Sequence, residues 1–226
     1  MPSLYLRRQT AEQREELISN LNESQKGFCF ICEEHIDLRL HKDSLDIDHI
    51  IPITMSGKDD PSNFALTHAS CNRSKQASNL EVAKILQRLN KLRDNLADEN
   101  RGANLADVLE IHGGGKYLVN FSRQNGKIHF SCPELGLNQV NEIPVYKDDL
   151  SGFEYFFTKL PIEYLHHDDK INPRAIGQNI SKLIQEFYLK RPQLHASLGW
   201  IDLSNGNKSS VKIFDGQHKA AAQILL

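Results

Sequence analysis

The chain has 226 residues, 39% hydrophobic and 25% charged, with a formal net charge of −2. That length suits one large domain or two small ones, and the composition is that of an ordinary soluble globular protein. A membrane-spanning helix is excluded by the lack of a long apolar run, a disulfide scaffold by a count of four cysteines, and a globally basic nucleic-acid binder by the charge.

Met1–Arg8 lacks the apolar core of a signal peptide, so a reducing, cytoplasmic setting is expected. Thr10 and Gln13 form a capping box for a helix over 10–21, with Leu17, Ile18 and Leu21 as its apolar stripe. Gly27–Cys32 reads as a short strand that ends in a metal-knuckle turn. Leu45–Ile51 alternates apolar and polar residues like a half-buried strand, and Pro52 stops it. Asp59-Asp60-Pro61-Ser62-Asn63 is a turn and helix start. Residues 79–97 form an amphipathic helix carrying Leu80, Ala83, Leu86 and Leu89 on one edge.

The polar stretch Asp98–Gly115, with its Gly113–Gly115 run, places a boundary between domains 1–100 and 101–226. The second domain opens with a linker and a β-hairpin, Tyr117–Ser122 against Lys127–Ser131, turned at Asn125-Gly126. A helix over 172–191 follows Asn172-Pro173-Arg174. Val211–Phe214 reads as a strand, Asp215-Gly216-Gln217 as a turn and His218–Leu226 as a helix. The chain stops inside that helix, so the second domain is expected to be truncated.

Two ligand sets interleave between residues 29 and 72. Cys29-x-x-Cys32 and His68-x-x-Cys71 are paired at the spacing of a structural zinc site, which prefers four soft or borderline ligands in a tetrahedron. Between them lie Asp48-His49 and Asn63, and Asn72 follows. A near-neutral imidazole beside oxygen ligands suits proton abstraction next to a hard cation. From Cys71 to Arg93 the bases Arg73, Lys75, Lys84, Arg88, Lys91 and Arg93 face the single acid Glu81. This local excess of +5 is placed to meet a phosphate backbone.

The order Asp48-His49-Ile50-Ile51-Pro52, Asn63 and Cys71-Asn72-Arg73-Ser74-Lys75 resembles the zinc-stapled branch of the HNH (ββα-metal) endonucleases over residues 27–80. The second zinc half-site departs from the commoner Cys-x-x-Cys by using His68. The resemblance implies Cys29, Cys32, His68 and Cys71 on structural Zn²⁺. It implies His49 as general base, Asp48 and Asn72 as ligands of a catalytic Mg²⁺ or Mn²⁺, and Asn63 as the brace of the loop beside the base. It also implies Arg73 and Lys75 on flanking DNA phosphates. A double-strand break would need two cuts and so suggests a homodimer.

Phe214-Asp215-Gly216-Gln217-His218-Lys219 joins a strand to a helix start, which is a place for a phosphate, a nucleotide or a nucleic acid. It resembles the ParB/sulfiredoxin-like superfamily, in its DGQHR-type members, over residues 143–226. Lys219 stands where Arg is usual, which loses bidentate phosphate recognition. The resemblance implies phosphate contacts at Gly216, Gln217, His218 and Lys219, with Arg174 as a further candidate. The expected architecture is α+β, a small HNH domain followed by a ParB-like α/β domain. The expected activity is DNA cleavage governed by the second domain, in a setting such as bacterial defence or restriction. The alternatives are a non-catalytic zinc-held DNA clamp with a nucleotide-sensing partner domain, and a nucleotide hydrolase with the HNH domain as its output arm.

Overall fold

The computed structural model describes residues 3–75, 79–99, 101–191, 196–206 and 208–226. The chain divides into two compact units. One holds Met1–Asp98 with Ile184–Leu189, and the other holds Glu99–Leu183 with Lys190–Leu226.

The first unit opens with a short helix α1 (Leu4–Arg7) and the helix α2 (Ala11–Ser24). Thr10 and Gln13 close the capping box reciprocally, at 3.2 and 2.9 Å. Gly27–Cys32 is not a strand. It is a turn with one isolated bridge, Phe28 to His35. Glu33 adopts φ 60, and the turn's amides bond inward, Cys29 N to Glu34 O and Glu33 N to Cys29 O. Those bonds leave none of that geometry for a ladder, and they bring both thiols to one side.

Strand β1 (Leu45–His49) pairs antiparallel with β2 (Phe64–His68), and α3 (Ala69–Ser74) follows β2 directly. This is a ββα arrangement. Helix α4 (Leu80–Leu96) is capped by Asn79, which accepts from Glu81 N, and it buries Leu80, Val82, Ala83 and Leu89. One core joins Leu17 and Leu21 of α2, Ile31 and Ile36 of the turn, Phe64 and Leu66 of β2, and Leu80 and Ala83 of α4. Gln25 ties the end of α2 to the middle of β2 by bonding both Leu66 N and Leu66 O.

The second unit contains α5 (Leu105–Ile111), β3 (Val119–Gln124), β4 (Lys127–Cys132) and β5 (Leu137–Pro144). The two-residue strands β6 (Tyr146–Lys147) and β7 (Glu154–Tyr155) pair with each other. Then come β8 (Leu165–His167), α6 (Ile180–Tyr188), of which only the residues up to Leu183 are counted in this unit, β9 (Leu198–Asp202), β10 (Lys208–Asp215) and α7 (Gln217–Leu225). Among the described residues the main sheet has the order β5-β4-β3-β10-β8, with β9 also on β10. β8 runs parallel to β10, and the other pairs are antiparallel. Asn125 and Gly126 take φ 52 and 74, as a tight two-residue hairpin turn requires.

Two further expectations differ from the structure. Part of the predicted linker is α5, whose Asn104 and Asp107 form a capping box and whose Leu105, Val108 and Leu109 are buried. The helix expected from 172 begins at Ile180. Ile176 N donates to Ala103 O, and this holds the preceding stretch out of the helix.

Candidate functional site

The knuckle turn delivers Cys29 and Cys32, both almost fully buried, while the end of β2 delivers His68 and the first turn of α3 delivers Cys71. Their ligand atoms all lie within 4.8 Å of one another. Tetrahedral thiolate ligands on zinc stand about 3.8 Å apart, so this donor set needs little movement to close on the ion. Burial pushes the Cys32 thiol up to about 12 and the Cys71 thiol upward. A thiol in such a place ionises when a cation compensates it. Burial also lowers His68, which favours the neutral, ligating imidazole. The cluster fits zinc in number, kind and spacing.

Asp46 and Asp48 lie two apart on β1 and so share a strand face, the one α3 meets. Asn72 Nδ2 donates to Asp46 Oδ2 at 3.0 Å. The buried Lys75 ammonium sits 2.8 Å from Asp48 Oδ2. Asn72 is thus bonded to Asp46, and Asp48 is held by Lys75. Two carboxylates and an amide are hard oxygen donors and fit a divalent cation, with Lys75 as the positive charge that such an ion would replace.

His49 closes β1 and is 8% exposed. Its ring meets Phe64 edge-on at 4.9 Å, and Phe64 is its register partner on β2. His49 Nε2 lies 3.0 Å from Asp59 Oδ1, and Nδ1 lies 3.9 Å from Asp48 Oδ1. Asp59 also accepts from Ser3 Oγ at 2.5 Å and from the amides of Leu4 and Tyr5 at 2.8 and 3.0 Å. The Ser3 hydroxyl, with these amides and His49, holds the Asp59 carboxyl far below the usual range.

Asn63 is buried behind this loop. Its Oδ1 accepts from Ile51 N at 2.9 Å, and its Nδ2 donates to Ile51 O and Lys58 O at 2.9 and 2.8 Å. Gly57 fits under the same loop because it lacks a side chain. A Cβ there would stand 1.8 Å from Ile51 O.

Residues 29–78 match the family model of the HNH endonucleases.

The first unit therefore carries an HNH endonuclease domain with a zinc-type ligand cluster, and the family's general activity is nuclease action on nucleic acid. No curated protein and no solved structure matches the chain significantly. The family match does not reach the second unit.

The HNH domain's basic stretch is less open than its composition suggests. Lys84 and Arg88 pair with Glu33, Lys91 pairs with Glu34, and Lys75 pairs with Asp48. Arg73 is exposed in the last turn of α3. In the second unit Gly216 caps α7 with φ 77, and an added Cβ would meet Ser197 at 3.0 Å. Gln217 is buried and donates to Asn172 Oδ1 at 3.1 Å, where Arg174 Nε also donates at 3.1 Å. His218 Nε2 accepts from Gly177 N at 2.9 Å. Lys219 is half-buried on the same turn. Arg174 and Gln217 thus meet at Asn172, whereas His218 turns to a different segment.

Asp46, Asp59 and Ser3 were missed from the sequence. Asp46 had a usable signal in its two-residue offset from Asp48. Asp59 looked like part of a turn, and nothing in its spacing connects it to His49 or to the N-terminus.

Proposed function

We propose that this protein is a metal-dependent endonuclease that hydrolyses DNA phosphodiester bonds through its HNH domain. The observation that carries the reading is the setting of His49. One ring nitrogen is engaged by Asp59, and the other faces the Asp48 side. In this reading His49 takes a proton from the attacking water through Nδ1. Asp48 and Asn72 hold a divalent cation, Mg²⁺ or Mn²⁺, which when bound stabilises charge on the phosphate and the leaving 3′ oxygen. Lys75 then leaves Asp48 and joins Arg73 on flanking phosphates. Asn63 keeps the loop beside the base closed. The zinc cluster fixes the scaffold, because all four of its positions are filled by protein. The products are a 5′ phosphate and a 3′ hydroxyl.

The second unit is assigned, as part of the same proposal, to ParB-like recognition of a nucleotide or DNA. In this reading Gly216, His218, Lys219 and Arg174 supply the phosphate contacts, and Gln217, buried against Asn172, holds the turn. A homodimer would make the two cuts of a double-strand break, and the setting is cytoplasmic, in bacterial defence or restriction.

The test is plasmid cleavage by the full chain in Mg²⁺ or Mn²⁺, wild type beside His49→Ala, with and without added nucleotides. Cutting should vanish in the variant, with zinc content unchanged. Cutting at the wild-type rate would remove His49 as the base. The ion pair between Lys75 and Asp48 favours a second reading, a DNA clamp that does not cut. Tight DNA binding with no cleavage in any metal would select it.

A further inference from the structure

We infer that Asp59 is the positioning residue of His49, and that the N-terminal turn Ser3–Tyr5 holds Asp59 in place for that task. The inference deepens the nuclease reading and rests on it for its catalytic consequence.

Four donors converge on one carboxylate. Oδ1 faces His49 Nε2 at 3.0 Å and Ser3 Oγ at 2.5 Å, while Oδ2 accepts from Leu4 N and Tyr5 N. An ionised carboxylate only accepts, so the His49 nitrogen opposite it carries the proton. The neutral ring then holds its lone pair on Nδ1, the nitrogen directed at the Asp48 side. Without Asp59 the ring can exchange its nitrogens, and part of the population presents an N–H where the base must accept.

The geometry leaves little slack. Phe64 limits the ring's tilt. Asn63 ties Ile51 to Lys58 and so fixes the loop that brings Asp59 forward. The amides of Leu4 and Tyr5 lie in the first turn of α1 and have no intrahelical partner to give up. Ser3 Oγ accepts from Leu6 N at 3.0 Å while donating to Asp59, so one hydroxyl caps the helix and fixes the carboxylate. The N-terminal residues thereby become part of the machinery that aims the base, although they lie outside the matched segment 29–78.

The experiment compares wild type, Asp59→Asn, Asp59→Glu, Ser3→Ala and His49→Ala in the full chain. Zinc content and circular dichroism check the fold of each. Steady-state cleavage and the ¹⁵N spectrum of the histidine rings are the readouts. Asp59→Asn should lower kcat on the order of 10²–10⁴-fold with KM little changed, since a misaimed base has that cost in related dyads. Asp59→Glu should recover part of the rate, and Ser3→Ala should lose only a few-fold. The His49 ring should be Nε2–H in wild type and lose that preference in Asp59→Asn. An unchanged ring tautomer in Asp59→Asn overturns the inference whatever the activity. So does a near-wild-type kcat in Asp59→Asn while His49→Ala is inactive. Cleavage that survives His49→Ala removes His49 as the base, and with it the catalytic part of this inference. The spectrum still decides whether Asp59 orients the ring. Should Asp59→Asn fail to fold, Ser3→Ala carries the test, and a kcat equal to wild type there counts against the role of the N-terminal turn.

Discussion

Asn63 serves three backbone groups with one side chain, and that explains its burial in a loop where asparagine would ordinarily face water. Two carbonyls and one amide lose their partner if it is shortened. Asn63→Ala should cost about 2–3 kcal/mol, the penalty of leaving buried polar groups unpaired. Chemical denaturation of the zinc-loaded protein measures it. Asn63→Asp should be no better, because a carboxylate would face the two carbonyls. In the sequence, the resemblance implied Asn63 as a brace of the loop beside His49, and its bonds to Ile51 and Lys58 tie that loop. Those partners were not legible, because Ile51 and Lys58 are reached only when the loop closes. Asp59 and His49 are ten positions apart, and no helical or strand period links them.

At the level of elements, the knuckle turn has two different devices to hold it. The cluster of Cys29, Cys32, His68 and Cys71, which could hold zinc, is one. Chelation, or Cys29→Ser, should release one zinc per chain and abolish the cooperative unfolding of the HNH domain, because metal binding and folding are linked in such sites. Calorimetry with metal analysis checks this. Zinc must also displace protons from thiols that burial has pushed up, Cys32 to about 12, so zinc affinity should fall as pH falls. The second device is the pairing of Glu33 with Arg88 and Lys84 of α4. The Arg88 guanidinium holds the Glu33 carboxyl at about 2. A lowered carboxyl contributes stability that is complete above its unfolded value of 4.5 and is lost as pH falls through about 2. The destabilisation by Glu33→Gln should therefore be constant above about pH 5 and shrink below it. It should be small throughout, since the pair is partly exposed. Urea titrations at several pH values would show it, and a cost that grows on acidification would contradict the assignment. The same ion pairs explain why the basic stretch 71–93 reads more open in the sequence than it is. The acidic partners Glu33 and Glu34 lie in the distant knuckle turn.

For the whole molecule, a net charge of −2 leaves DNA binding to a few local cations. Arg73 is exposed, whereas Lys75 is committed to Asp48. Arg73→Ala should weaken DNA binding about equally for all sequences and reduce the slope of log affinity against log salt by about one. Fluorescence anisotropy between 50 and 200 mM salt is the measurement. An unchanged slope would place the phosphate contact elsewhere. The mixed sheet of the second unit was partly legible. Its Asn-Gly hairpin and the strand–turn–helix at Gly216 are local signals. The capping box of α5 is masked in the sequence because Asp107 stands where Glu or Gln is usual, inside a stretch whose composition reads as linker.

The amino-acid sequence by itself determined what short-range geometry governs. Two ligand pairs each fit within one turn, an Asp-His pair ends a strand, and helices begin at Thr10 and Asn79. These depend on backbone periods over three or four residues, which the chain carries wherever it goes. Tertiary structure alone decided which polar groups met. It put Asp59 on His49, Asn72 on Asp46, Lys75 on Asp48 and Glu33 on α4. Those meetings follow from loop closure and from a core that seals around Leu66 and Leu80. A side chain's partner is then set by where distant segments pack, which no local spacing encodes.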